Sequence, residues 1–356
     1  DADYNVAVGV TALGGDTLGS KSTAIGYSTL VNQNFTTATD TFNTAVGYEA
    51  GTAVTTGKQN TLVGGLAADA LTTGTNNVAM GYLALSTETA GDNSVAIGRS
   101  ALGTQNTTTG GNIYNTAVGH AAGGAVTTGD SNTLIGGLAG DALTEGDSNV
   151  AVGTGALGAD TKGDRNIAIG AGTLESQNFS TKTDSYNIGV GHAAGSSVTT
   201  GVQNTLIGGQ AGDALTDADF NVAVGMQALS ADTLGSRSVA VGYGALTTQN
   251  FTTATDAHNT AVGYLAGTAV TTGANNTIIG ASAGIALTSG TSNNLIGGLA
   301  GDALTTGVSN NIMGVLCGTA LTDADYNVAI GQQALNADTL GSTTVAIGSF
   351  ALSSQN

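Results

Sequence analysis

The feature that most restricts this chain is a pentapeptide that returns twenty times. "NVAVG" at residues 5–9 comes back as "NTAVG", "NTLIG", "SVAIG" and "NNIMG", always ending in glycine. These anchor glycines fall at Gly9, Gly26, Gly47, Gly64, Gly81 and Gly98 and continue to Gly331 and Gly348. Fifteen of the nineteen intervals are 17 residues and four are 21, the long ones following Gly26, Gly98, Gly170 and Gly242. A higher period of 72 residues results, and it lapses after Gly314, where a 17 stands in place of a 21.

A unit this short cannot bury its own apolar face, so recurrence at fixed length predicts a solenoid in which each turn buries the next. Seventeen residues are too few for a helical hairpin and suit one rung of two short strands and two turns. An apolar residue precedes every anchor, from Val8, Ile25 and Val46 to Ile347, and Val, Ile or Thr usually lies two residues earlier. That alternation is a strand signal. The expected fold is all-β: a parallel β-solenoid of about twenty 17-residue rungs, with a four-residue loop insertion recurring every four rungs. No shift in composition marks a linker, so residues 1–356 read as one continuous solenoid without separate domains. At about 4.8 Å per strand, twenty rungs predict a rod roughly 95 Å long.

Three column patterns refine this reading. Four residues before the anchor, sixteen rungs carry Asn, beginning Asn5, Asn43, Asn60, Asn77, Asn115, Asn132 and Asn149; Ser22, Ser94, Ser238 and Thr344 are the exceptions. Stacked amides would hydrogen-bond up a ladder and satisfy turn backbone. Four residues after the anchor stands either Leu (Leu13, Leu30, Leu85, Leu102), with a polar residue three further on (Asp16, Gln33, Glu88, Gln105), or Gly or Ala (Gly51, Ala68, Gly123, Gly140), with Val54, Leu71, Val126 or Leu143 three further on. Each rung thus supplies one large aliphatic group from one of two places, as a core of fixed volume demands. The residue two before the anchor is usually Ala, interrupted by Leu62, Leu134, Leu206, Ile278, Leu295 and Ile312. A solvent-facing row would be polar, so this face is expected to pack against a second copy of the chain, with Gly and Ala permitting close approach.

Composition excludes several classes. Aromatic residues are 4% and charged residues 9%, too few for a thick globular core. Glycine is abundant at 57 residues, but there is no three-residue period and no proline, so collagen is excluded. The net charge of -18, with seven dispersed basic residues, argues against nucleic acid or an anionic membrane as partner. No apolar run approaches the roughly 20 residues of a membrane span. The single Cys317 occupies a slot that is nearly always alanine and reads as a small buried side chain. No signal peptide opens the chain, "DADYNVAVG" at its start returns as "DADYNVAIG" at 323–331, and it stops at "SSQN", where earlier copies enter a long loop. Solenoid ends carry atypical caps, so the chain reads as a mature or excised window on a longer fibre.

"NSVAIG" (93–98), "NTAVGY" (43–48) and "ALTTQN" (245–250) resemble the head repeats of YadA-like trimeric autotransporter adhesins, and similar "NTAVGY" repeats occur in bacteriophage tail-fibre proteins. The resemblance spans essentially the whole chain. It implies a left-handed β-roll that associates as a homotrimer, an extracellular place on a cell or virion surface, and a fibre that mediates attachment. The present rungs are longer than the family's usual ones, a loop recurs every four rungs, and no stalk, neck or membrane anchor is visible. A purely structural filament, glycosylated or plain, is the competing reading.

Candidate sites are few. The long intervals create four loops, "NFTTATDTF", "NTTTGGNIY", "NFSTKTDSY" and "NFTTATDAH", beginning at Asn34, Asn106, Asn178 and Asn250. Each opens on Asn-x-Ser/Thr, making the loops candidates for contact with a receptor or glycan, or for carrying glycans; a Thr-rich spacer is the plain alternative. "GGLAGDALT" is only weakly like a calcium-binding nonapeptide, because it occurs once per rung and its glycine spacing is off. An ice-binding face would need unbroken Thr ranks, whereas the pairs Thr55-Thr56, Thr72-Thr73 and Thr127-Thr128 disappear in the next two rungs. His120 and His192 lie four rungs apart, His258 has no Cys or second His near it, and carboxylates are scattered. No metal site, cofactor or catalytic group is therefore expected, and no enzyme activity.

Overall fold

The computed structural model describes residues 2–354 and is all-β, a parallel β-solenoid of about twenty turns. Asp1, Gln355 and Asn356 of the terminal segments named above lie outside the described residues. By compactness the chain falls into two units, Asp1–Asp184 and Ser185–Asn356, built on the same rung.

Each rung contributes one three-residue strand ending just before its anchor glycine, such as Thr44–Val46 and Thr61–Val63 in the first unit and Thr260–Val262 and Thr277–Ile279 in the second. Neighbouring strands are parallel and in strict register: Thr44 faces Thr61, Ala45 faces Leu62 and Val46 faces Val63. The second unit repeats this, with Ala261 opposite Ile278. Where a rung carries the four extra residues, a two-residue pairing closes the loop, Gly19–Ser20 with Thr39–Asp40, Gly91–Asp92 with Gly111–Asn112, Gly163–Asp164 with Thr183–Asp184 and Gly235–Ser236 with Thr255–Asp256.

The anchor is glycine for two reasons. Its φ lies between +124° and +145°, a region closed to residues with a Cβ. A Cβ on Gly47 would also stand 2.3 Å from the carbonyl oxygen of Gly64 on the next rung. The chain turns sharply at three more places per rung, where residues take left-handed φ values whether or not they carry a side chain, as Phe42, Glu49 and Gly51 do in one rung.

The core lies behind the strand. The middle strand residue points into it: Ala24, Ala45, Leu62, Ala79 and Ala96 are fully buried, as are Ala261, Ile278 and Leu295 in the second unit. A second inward row is alanine at Ala50, Ala67, Ala84 and Ala101, with Cys317 in that slot in the second unit. The alternation of large groups is realised as expected. Leu30, Leu85 and Leu102 are fully buried, and so are Val54, Leu71, Val126 and Leu143 in the other rung type. Gly51 shows why the two types exclude each other, since a Cβ there would stand 2.6 Å from Leu62 and 3.0 Å from Leu30.

This corrects the assignment of the strand faces. The Ala/Leu row expected to meet a second chain is sealed inside its own solenoid, and the Val, Ile and Thr side chains on either side of it face outward. A core one rung deep has little room, so alanine is the residue that fits inside; small size marks a thin core here, not a neighbouring molecule.

Candidate interaction surface

The asparagine column is a closed structural device. Asn43 donates from Nδ2 to the carbonyl of Gly57 (2.8 Å), and its Oδ1 accepts the backbone N–H of Asn60 (2.9 Å). Asn60 repeats this toward Gly74 and Asn77, and the same links join Asn115, Asn132 and Asn149. Asn5, in the first rung, donates to Gly19 and accepts from Ser22. From Asn43 onward these side chains are fully buried, so they present nothing to a ligand.

The loop-heading asparagines belong to a second ladder. Eight residues after each anchor stands Thr, replaced by Asn in the loop-bearing rungs. The hydroxyls donate to the next rung's carbonyl, Thr55 to Thr72 (3.2 Å) and Thr72 to Thr89 (2.8 Å), and likewise Thr271 to Thr288 (3.2 Å). At the loops, the Oδ1 of Asn34, Asn106, Asn178 and Asn250 accepts instead, from Thr17, Thr89, Thr161 and Thr233 at 2.9–3.1 Å. The Thr rank is therefore unbroken as a rank of Thr or Asn, although the pairs are not. The sequence held the signal, a single column, but pairs obscured it. The residue after the loop asparagine is also held: Phe35, Phe179 and Phe251 are only 6–7% exposed. The exposed parts of these loops are 36–38, 180–182 and 252–254, with 108–109 and 111–112 in the second loop, although Lys182 is tied to Asp147 and Asn112 accepts from Asn93.

Beneath each loop lies a polar group that sequence reading marked only as polar. Glu88 is fully buried and accepts hydrogen bonds from the backbone N–H of Thr89, Ala90, Gly91 and Thr107, and from the Gln105 amide (2.9 Å). Gln105 also donates to Ser94 (3.0 Å) and accepts from Asn115 (2.9 Å). Gln249, Asp232, Ser238 and Asn259 repeat the arrangement in the second unit. Burial pushes the Asp160 carboxyl above the ordinary range, opposed by the Gln177 amide and backbone N–H groups. Burial likewise raises Asp69, Asp141, Asp213 and Asp302, one in each "GLAGDALT"-like rung.

What remains exposed is a stripe. Four alternate positions of each rung face outward, illustrated by Phe42, Thr44, Val46 and Tyr48 or by Asn76, Val78, Met80 and Tyr82. None of these eight is buried: Tyr48 is 55% exposed and Met80 40%. The centre of the stripe is Val, Ile, Thr or Met, and its two rims carry most of the chain's tyrosines. Tyr27 and Tyr48 stack with ring centroids 5.3 Å apart, and Tyr243 and Tyr264 do so at 5.5 Å. Four of the seven basic side chains stand on its rims, Lys21, Arg99, Arg165 and Arg237; ion pairs join Lys21 with Asp40, Lys162 with Glu145, Arg165 with Asp184, Lys182 with Asp147 and Arg237 with Asp256.

Among the described residues there is no pocket, no group of three or more His, Cys, Asp or Glu placed to hold a metal ion, and no helix long and apolar enough to cross a membrane. His120, His192 and His258 are all exposed on the stripe's rims. A scan against protein-family models and a search of curated proteins return no match for this chain. The molecule is a repeat β-solenoid, a fold compatible with a structural repeat protein, and the described residues of each unit carry the apolar stripe.

Proposed function

We propose that the chain is the shaft of an extracellular fibre that self-associates through the outward stripe as a homotrimer and mediates attachment at a cell or virion surface. The observation that carries this reading is the stripe. Parallel sheets are ordinarily covered on both faces, and apolar patches beyond a few hundred Å² mark association sites. A cover that meets the same apolar pair on every rung must itself repeat at the strand spacing, and another copy of this chain has that period. The ladders support the structural role, because they lock each rung to the next without leaving side chains for chemistry. The loop tips at 36–38, 108–109, 180–182 and 252–254 are where contact with a receptor or glycan would fall, on a scaffold held rigid from beneath.

Sedimentation and native mass spectrometry test this directly. The wild-type chain is expected to run as a trimer, and Ile97→Lys with Val118→Lys is expected to give a monomer with an unchanged far-UV circular dichroism spectrum, since both side chains point outward. A wild-type monomer would overturn the self-association reading. A trimer whose loop-tip replacements leave binding to cells and glycan arrays unaltered would leave a purely structural filament.

A further inference from the structure

The chain has three histidines in 356 residues, and all three stand on the rims of the stripe. Each lies in the rung that follows an inserted loop: His120 and His192 just after the anchor, His258 five residues before it. The same two rim positions in rungs of that class are otherwise aromatic, namely Tyr48 and Tyr264 after the anchor and Phe42, Tyr114 and Tyr186 before it. An uncharged imidazole resembles those rings in shape and can be covered as they are. A protonated one cannot be buried without a partner except at considerable cost.

The outward positions of the rungs flanking His120 and His258 supply no unpaired carboxylate to receive that charge, whereas the exposed Glu175 lies in the rung before His192 in sequence. On the stripe, the rung before His120 offers Asn93, Val95, Ile97 and Arg99, and the rung after it Ser131, Thr133, Ile135 and Gly137. The one charged group among them is cationic, and the backbone N–H of Ala121 bonds the Arg99 carbonyl (2.9 Å), fixing the two rungs side by side. His258 follows the rung of Arg237, already paired with Asp256 at 2.8 Å, and precedes Asn275, Thr277, Ile279 and Ala281. After His192 come Gln203, Thr205, Ile207 and Gly209, and the rung before it in sequence carries Arg165, paired with Asp184.

From this placement we infer that assembly through the stripe is switched by pH, closed when the rim imidazoles are neutral and opened when mild acid protonates them. This rests on the stripe being the self-association surface. Each imidazole that must shed a proton to be covered weakens assembly by up to roughly tenfold for each pH unit of acidification.

The test is sedimentation of the wild-type chain and of H120Y/H192Y/H258Y at pH 7.5 and pH 5.5. The wild type is expected to lose affinity by about tenfold or more at the lower pH, and the triple variant to stay assembled at both. A wild type that is equally assembled at both pH values, or a variant that dissociates as the wild type does, would overturn the switch while leaving the stripe reading intact. A wild type that is monomeric at pH 7.5 would remove the stripe reading and the switch together.

Discussion

At a plain junction, Asn43, Asn60 and Asn77 pass hydrogen bonds from rung to rung through one repeated amide. At the loop-bearing junction of residues 88–115 the smaller Ser94 stands in the asparagine column, and Gln105 reaches across to bond it, its own successor Asn115 and the buried Glu88. Both junctions leave the ladder closed. They differ in that the plain one uses uncharged groups and local links, whereas the loop-bearing one concentrates a carboxylate and several backbone donors at one buried point. An inserted loop is therefore tolerated because a second polar set holds its root, and the tip is left to vary.

The largest effect should be the same in both kinds of rung. Gly64→Ala and Gly98→Ala each force a Cβ into the next rung at a glycine-only φ, and are expected to destabilise the fold by more than about 3 kcal/mol in urea unfolding. Gly65→Ala, whose Cβ would find Tyr82 at 3.6 Å, should be nearly neutral. Next, Leu102→Ala in a loop-bearing rung and Leu71→Ala in a plain one should cost about 2 to 5 kcal/mol alike; a large difference between them would mean that the loop alters the core. The rungs should part company at their polar groups. Asn60→Ala and Glu88→Ala should each cost about 1 to 3 kcal/mol, yet only Glu88→Ala should speed amide hydrogen exchange at 106–113.

Smaller still is the pH response of the folded chain by itself. Asp69, Asp141, Asp160, Asp213 and Asp302 have folded pKa values raised by burial above the ordinary 3.8. The folded state then binds more protons than the unfolded one between 3.8 and those raised values. Stability falls as pH rises through that window and is regained as pH drops back through it. In a chain kept from assembling by the stripe substitutions, Tm should accordingly increase on acidification from neutral pH toward 3.8. The smallest expected signal is at Cys317, where burial pushes the thiol up to about 11; alkylation in the native state should be negligible and become prompt only on unfolding.

Much of this architecture was legible in the sequence because spacing carries it. Anchor glycines, the asparagine column and the compensating Leu13-type and Val54-type positions are one-dimensional patterns, and a solenoid maps them directly into rows. Which strand face points inward was not legible, since Ala45 and Val46 are both apolar and alternation is blind to direction. Leu62 was the overlooked clue, because a leucine in the Ala row, opposite the space left by Gly51, makes sense only inside a core. The loops looked like free segments beginning at Asn34; the Thr17 hydroxyl and the buried Phe35 show that freedom starts two residues later. The stripe is hidden in the sequence because a row of Val and Ile reads as interior unless the Ala row beside it is known to be buried.

The in-register ladders also bear on how such a gene changes. Within a run of plain rungs each amide hands its bond to an identical amide one rung on, so an in-frame duplication or deletion of one such rung rejoins like to like in that ladder. Unequal recombination between near-identical repeats would thus yield viable alleles of graded length. An indel that is not looped out, as the four-residue insertions are, would move the rest of its rung to different columns, and purifying selection would fall on it far more heavily.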